Sequence, residues 1–298
     1  MKLAAIDIGS NAVRLLFCNV LNGKSEAVFK KAELIRVPLR LGEDTFLTGK
    51  ISDKKVEKLV KSMSAFRNLI DVYEAVDYRA CATSAMREAS NSEEIIGRVK
   101  REAGITIEVI DGSTEADIIY NNHIAEHLSN DSAYFYIDIG GGSTEITLFN
   151  KTKVVASRSF NIGTIRLLHD KVSKETWNEF KDWIKDTTKN YHPLIAIGSG
   201  GNINKLFSMS RKKQSKPITY GKLKSICELL EVYTYDQRVR ELGLKPDRAD
   251  VIIPASKIVL TAMKVAEIEK MYVPQIGLSD GIVHLLYEKH KLKTPALG

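Results

Sequence analysis

The sequence predicts an α/β protein that contains two copies of one domain. Two apolar runs, at 3–6 and 134–137, each lead into an aspartate, a turn that contains glycine, and two further strand-like runs. Later in each half, another strand ends in a turn of small residues and is followed by a helix. A chain of 298 residues also fits about two domains. A topology that occurs twice in this way indicates a duplication.

The composition is that of an ordinary globular protein, with 44% hydrophobic and 27% charged residues. These values exclude disordered and collagen-like architectures. No window of about 18 residues is uninterruptedly apolar, so we expect no membrane-spanning helix. The three cysteines are scattered and form no Cys-x-x-Cys pair, which favours reduced thiols and a cytoplasmic location.

The charge is basic, with a formal net charge of +7. Such a surface favours polyanionic partners, namely nucleic acid, phosphorylated metabolites or anionic lipid. The densest basic segment, Arg211-Lys212-Lys213-Gln214-Ser215-Lys216, has no interleaved aromatic residue. A base-stacking role is therefore less favoured than a solvated loop.

In the first half, β-branched and aromatic residues predict strands, with a hairpin turn at Asn22-Gly23. A 3.6-residue apolar period predicts a helix over 56–70, with Ser52 or Asp53 as its N-cap. A further helix is predicted over 114–128. The predicted strands are Leu3–Ile6, Val13–Val20, Ser25–Val37, Tyr78–Ala82 and Ile105–Ile110.

The second half repeats the pattern, with a turn at Asn150-Lys151 and a long helix over 251–268. The polar segment 126–131 marks the expected boundary between domains 1–128 and 129–298, with the last helix free to pack back on the first domain. Two lobes whose glycine turns face each other predict a ligand in the cleft between them. The predicted strands are Tyr134–Ile137, Glu145–Phe149, Lys153–Phe160 and Leu194–Ile197.

The most informative segment begins at Asp138 and contains three successive glycines. Glycines let backbone N–H groups approach an anion closely, hydroxyls add donors, and an aspartate at a strand end can hold a cation. This composition favours a phosphate-binding loop over a bare hairpin turn. The candidate phosphate ligands here are Gly140, Gly141, Gly142, Ser143 and Thr144, and in the first copy Gly9, Ser10 and Asn11.

Two arginines extend this set. Arg14 follows the first loop, and Arg87 follows Thr83 and Ser84 at the start of a helix. A guanidinium can bind phosphate through two parallel hydrogen bonds, and oriented N–H groups at the start of a helix also favour anions. Glu115, taken alone, is interpreted as a first-turn glutamate that complements the helix dipole. The histidines lack metal-ligand spacing, and no Walker-type phosphate loop is present.

Together these segments resemble the actin, Hsp70 and sugar-kinase superfamily. Within it, the sequence closely resembles the exopolyphosphatase/guanosine pentaphosphate phosphatase family. The matching segments span nearly the whole chain in the family's order: Asp7–Arg14, Arg40–Glu43, Ala82–Arg87 with Asn91, Gly112–Ala116, Asp138–Glu145, Gly163–Leu167, Arg248–Pro254 and Gly277–Gly281.

The resemblance implies two actin-like (ribonuclease H-like) domains with a cleft between them, in the family's short two-domain form. It implies that Glu115 is the catalytic base and that Asp138 and Glu145 form the site for Mg²⁺. The implied reaction is release of the terminal phosphate of inorganic polyphosphate by water. We also expect a homodimer, with no membrane partner and no specific nucleic-acid partner.

Three alternatives remain at this point: a guanosine pentaphosphate 5′-phosphatase, a non-catalytic regulator that binds phosphates or nucleotides, and an ATP-dependent kinase of the superfamily. The presence of Glu115 argues against the regulator. The sequence departs from the family where Thr114 precedes Glu115 and where 198–202 reads Gly-Ser-Gly-Gly-Asn. The second departure argues against the kinase, because that loop binds adenosine in the kinase relatives.

Overall fold

The computed structural model describes residues 1–22, 27–120, 132–150, 153–213 and 215–293. The chain forms two compact units, residues 1–124 with 277–298 and residues 125–276. The boundary expected at 128/129 lies outside the described residues. The C-terminal segment belongs to the first unit, whereas the predicted second domain extended to 298 and only allowed the last helix to pack back.

The elements follow in chain order. The strands are β1 (Lys2–Ile8), β2 (Val13–Asn22), β3 (Ala27–Val37), β4 (Asp77–Ala82), β5 (Ile107–Val109), β6 (Ala133–Ile139), β7 (Thr144–Asn150), β8 (Lys153–Phe160), β9 (Leu194–Ser199), β10 (Ile218–Thr219) and β11 (Lys270–Tyr272). The helices are α1 (Leu41–Thr48), α2 (Asp53–Val72), α3 (Ser84–Glu88), α4 (Ser92–Ala103), α5 (Gly112–Tyr120), α6 (Thr164–Leu168), α7 (Lys174–Thr188), α8 (Gly201–Met209), α9 (Tyr220–Val232), α10 (Tyr235–Arg240), α11 (Pro246–Ala249), α12 (Ile252–Val265) and α13 (Leu278–Lys293).

The two sheets share one topology. The first unit has the strand order β3-β2-β1-β4-β5, and the second has β8-β7-β6-β9-β11-β10. In each, three antiparallel strands are followed by two strands parallel to the first of them, β4 and β5 in the first unit and β9 and β11 in the second. The second sheet has one further edge strand, β10, which is antiparallel to β11. The predicted duplication of an α/β domain is confirmed.

Helix α2 illustrates how the sequence builds the first core. Its buried residues are the six that the apolar period predicted: Val56, Leu59, Val60, Met63, Phe66 and Ile70. They join one face of the sheet, including Ile6, Ile8, Leu15 and Phe17, in a single cluster. Ser52 occupies the N-cap position, but its hydroxyl donates to Asp44 at 2.5 Å instead of accepting from the helix.

Some expected boundaries differ. Strand β5 covers only 107–109 of the predicted 105–110, and β10 and β11 were not predicted because each has at most three residues. The predicted helix 114–128 begins at Gly112 and is described to Tyr120. The turns at 22–23 and 150–151 fall partly outside the described residues. No helix in the described ranges has the length and apolar character needed to cross a bilayer.

Helix α13 packs closely within the first unit. A Cβ on Gly281 would lie 2.1 Å from the backbone oxygen of Ile118, so only glycine allows this approach of α13 to α5. Near the other end of α13, Lys289 and His290 contact Asp77 at 3.1 and 3.0 Å. Partial burial opposes ionisation of Asp77, but the bonds from these two residues lower its pKa overall.

Candidate active site

The candidate residues of the first unit gather at one edge of its sheet. Strands β1, β4 and β5 are parallel, so their carboxyl ends lie together. Asp7, near the end of β1, is 6% exposed and accepts a 2.5 Å bond from Arg14, its register partner on β2. The Ser10 and Ser84 hydroxyls, which follow β1 and β4, are buried and 2.9 Å apart.

The loop 9–12 connects β1 to β2, and its carbonyl oxygens accept the hydrogen bonds that fix it. The Gly9 amide donates to Ala12 at 3.2 Å and closes the turn. The amides of Arg40 and Gly42, at the start of α1, donate to Asn11 and Ser10 at 2.9 and 2.8 Å. Within the described part of the chain, the Ser10 and Ala12 amides donate to no protein acceptor.

Glu115 lies in the first turn of α5, which Asp111 caps. Asp111 Oδ1 accepts from the Thr114 amide at 2.7 Å and from the Ser113 hydroxyl at 2.8 Å. The Glu115 amide donates to the Asp111 backbone oxygen at 2.9 Å. The bonds from Thr114 and Ser113 lower the pKa of Asp111 from 3.8 to about 2. This cap, which the sequence analysis missed, fixes the turn that carries Glu115.

Arg87 links two of the strand ends. Its amide donates to Thr83 at 3.0 Å, and its guanidinium Nη1 donates to Ile110 at 2.9 Å. The Thr83 amide in turn donates to Ile8 at 3.2 Å. Thr83, Ser84 and Arg87 are thus brought to the edge that carries Asp7.

The glycine loop of the second unit, 140–143, has the same construction. The Gly140 amide closes the turn on Ser143 at 3.0 Å. The carbonyl oxygens of all three glycines accept hydrogen bonds from the segment 164–166: the Thr164 and Ile165 amides donate to Gly140 and Gly141, and the Arg166 Nε donates to Gly142. Among the described residues, the amides of Gly141, Gly142 and Ser143 donate to no protein acceptor.

These contacts correct part of the predicted phosphate-binding set. The loops are hairpin connections, and the Gly9 and Gly140 amides close them, so these two amides are not available to an anion. Thr144 is fully buried, and its hydroxyl donates to the Ile162 backbone oxygen at 2.5 Å. We therefore remove the Thr144 hydroxyl from the candidate ligands.

A row of polar side chains crosses four strands of the second sheet in register. Asp138 on β6 lies directly opposite Glu145 on β7, so their side chains project from the same face of the sheet. Ser199 on β9 and Ser159 on β8 are the outer partners in the row. Ser199 donates to Asp138 Oδ2 at 3.2 Å, and Ser159 donates to Glu145 Oε1 at 2.8 Å.

The first unit has a different row at the equivalent positions. Asp7 there lies opposite Arg14, and the outer partners are Cys81 and Arg36. Asp7 therefore has its counter-charge within the chain, whereas Asp138 faces a second carboxylate. Arg36 and Ser159 were not predicted as site residues, and Ser199 was named only within the segment 198–202. Their signal was a position in alternating strands next to the motif residues.

The opposed carboxylates suit a hard divalent cation. Like charges directly opposite each other in a sheet are destabilising, and Mg²⁺ is commonly held by one or two carboxylates together with substrate phosphates. No cluster of three or more His, Cys, Asp or Glu occurs within the residues that the structure describes. Asp138 and Glu145 thus fit a site that substrate and water oxygens complete.

A model of the Ppx/GppA phosphatase family matches residues 24–290. The chain belongs to this family. A bifunctional 3-dehydroquinate synthase/phosphatase of Fusobacterium nucleatum is 32% identical over 84% of the chain. The chain spans 41% of the length of that relative. Exopolyphosphatase 2 of Mycobacterium tuberculosis is 25% identical over 94% of the chain and 97% of its own length.

Solved Ppx/GppA structures have the same fold. The Aquifex aeolicus family member has a TM-score of 0.77 and 27% identity, covering 97% of this chain and 98% of its own. An exopolyphosphatase from Cytophaga hutchinsonii has a TM-score of 0.84 and 23% identity, with the same coverage. The expected fold class, two actin-like domains, is confirmed.

Proposed function

We propose that this Ppx/GppA protein is a phosphohydrolase that releases the terminal phosphate of inorganic polyphosphate. The observation that carries the proposal is the opposed pair Asp138 and Glu145 beside a glycine loop whose amides are available to an anion. The name of the Mycobacterium tuberculosis relative, exopolyphosphatase 2, supports polyphosphate as the substrate.

Glu115 is the general base in this proposal. The water oxygen forms a bond to the terminal phosphorus as the bridging P–O bond breaks, and the Glu115 carboxylate accepts the proton that the water loses. The products are inorganic phosphate and a polyphosphate one unit shorter. The Asp111 cap supports this role, because it holds the first turn of α5 in one conformation.

The phosphate oxygens are bound by backbone amides and arginines. The Gly141, Gly142 and Ser143 amides are preorganised, because the carbonyls around them are tied to the segment 163–166. Donors fixed in this way stabilise developing charge without reorganising during the reaction. The Ser10 amide, with Arg14 and Arg87, provides the corresponding donors of the first unit. Ser10, Asn11, Thr83 and Ser84 stay candidate ligands through their side chains.

Asp138 and Glu145 hold a divalent cation in this proposal, and Mg²⁺ is the ion that the resemblance implies. When bound, such an ion neutralises charge on the phosphoryl group. Both carboxylates have hard oxygen donors, which supports the assignment.

A substitution at Glu115 tests the proposal. We expect Glu115→Gln to lower turnover by about 10²–10⁴, because an amide cannot accept the proton, while polyphosphate binding is retained. Asp117→Asn is the matched control, since Asp117 is an exposed carboxylate on the same helix. Phosphate release from polyphosphate, with guanosine pentaphosphate and ATP as comparison substrates, is the measurement. Wild-type turnover in the Glu115 variant would contradict the assignment.

The proposal also includes a cellular location and an oligomeric state. A cytoplasmic location is supported by three cysteines that are buried and unbridged. A homodimer is implied by the resemblance alone. Light scattering on the purified protein measures this state directly, and a mass equal to one chain would refute it.

A further inference from the structure

We propose that Ser159 is a positioning residue that holds the Glu145 carboxylate for the divalent cation, and that Ser199 does the same, more weakly, for Asp138. The inference rests on the cation assignment within the proposed function. Ser159 lies outside every motif quoted above, and Ser199 lies within the segment 198–202. Both act through a carboxylate, without contact to the reacting atoms.

The contact of Ser159 with Glu145 is the stronger of the two. Ser159 Oγ donates at 2.8 Å, and within the described residues this hydroxyl has no other acceptor. Glu145 itself is 2% exposed. A buried carboxylate with one oxygen fixed in this way has fewer orientations, so its second oxygen is better defined as a ligand.

Ser199 divides its single proton between two acceptors. Its hydroxyl lies 2.8 Å from the Ile276 backbone oxygen and 3.2 Å from Asp138 Oδ2. The shorter contact is with the backbone, so the bond to Asp138 is the weaker one. Ser199 is also 1% exposed, and its removal would disturb packing as well. Ser159, on an exposed edge strand, is therefore the cleaner test.

The first unit supports the functional interpretation. At the position equivalent to Glu145 it has Arg14, which already pairs with Asp7 at 2.5 Å. The outer partner of Arg14 in that row is Arg36, not a hydroxyl residue. The hydroxyl donors therefore occur in the row that has two opposed carboxylates.

The experiment measures Mn²⁺ binding to the full chain by electron paramagnetic resonance, without polyphosphate. Mn²⁺ serves as the probe because it takes the same oxygen ligands as Mg²⁺. We expect Ser159→Ala to weaken binding by about tenfold and Ser159→Thr, which keeps the hydroxyl, to restore it. Turnover of Ser159→Ala should recover at high Mg²⁺, with the KM for polyphosphate unchanged.

Ser157→Ala is the matched control. Ser157 is also exposed on β8, two residues away, but its hydroxyl contacts Thr147 at 2.9 Å rather than a carboxylate. Wild-type binding by Ser159→Ala, or equal losses in the Ser157 and Ser159 variants, would overturn the inference alone. If Asp138→Asn binds Mn²⁺ as wild type does, the cation assignment fails as well. Polyphosphate hydrolysis by the wild type is a separate readout and would stand in either case.

Discussion

At the scale of single residues, Gly163 must be a glycine because of the space around it, not because of its backbone angles. Its φ of −127° is open to any residue, but an added Cβ would lie 2.3 Å from both the Gly141 oxygen and the Gly142 carbonyl carbon. Both are backbone atoms of the glycine loop, so the loop itself would have to move. Gly163 thus determines where the phosphate-binding amides lie.

We expect Gly163→Ala to lower turnover by about 100-fold, because displacing the loop by about 1 Å misplaces its donors. Gly221→Ala is the control, since a Cβ on Gly221 meets no described atom within 4 Å. That control should stabilise α9 by up to about 1 kcal/mol and leave turnover unchanged. Phosphate release and thermal unfolding of both variants are the measurements. Full activity of Gly163→Ala would mean that the loop position does not matter.

At the scale of elements, helix α5 depends on a residue that precedes it. Asp111 accepts two bonds from the first turn, and the same turn carries Glu115. The sequence predicted α2 well because six apolar residues repeat over about four turns and one face is buried. It could not predict the α5 cap, because a single Asp before Gly-Ser-Thr is also a common turn sequence.

We expect Asp111→Ala to lower turnover by about tenfold, less than loss of Glu115, because the base remains but its turn is no longer fixed. Ser173→Ala is the control, since Ser173 caps α7 by accepting from Thr176 at 3.2 Å and neither residue is a candidate ligand. It should change stability without changing turnover.

The same variant has a defined pH dependence. Asp111 has a pKa lowered to about 2, so its contribution to stability is complete above its ordinary pKa of 3.8 and is lost as the pH falls toward 2. Asp111→Ala should therefore lose stability at neutral pH and show a smaller further loss on acidification. Urea unfolding between about pH 6 and pH 3 compares the two proteins. Parallel stability curves would show that the cap is not formed in solution.

At the scale of the whole molecule, the sequence predicts the duplicated domain and the basic net charge. It does not predict that the two copies have different charged pairs at equivalent positions. The repeated Asp-Ile-Gly turns are visible in the sequence, and the two sheets have matching orders. The register that opposes Asp138 to Glu145 but Asp7 to Arg14 depends on strand pairing, which local patterns do not specify. For the same reason, the sequence does not predict that Ser159 and Ser199 contact these carboxylates.

The net charge of +7 gives a prediction about long substrates. If the basic segment 211–216 binds the chain beyond its terminal phosphate, the KM for long polyphosphate should rise steeply with salt, and that for short chains only slightly. Neutralising Arg211, Lys212, Lys213 and Lys216 should flatten the long-chain slope. Neutralising the exposed lysines 174, 181, 185 and 189 is the control of equal charge. Equal slopes in both variants would leave 211–216 as a solvated loop.

Helix α13 makes the first unit discontinuous, since residues 277–298 return to it after the whole second unit. During synthesis, all residues of the second unit, 125–276, are made before the last helix of the first unit. Domains generally fold as units when their residues have emerged. The N-terminal strands are therefore made first and completed last. A released chain truncated after Ile276 should protect the second unit from protease while the first is still cleaved.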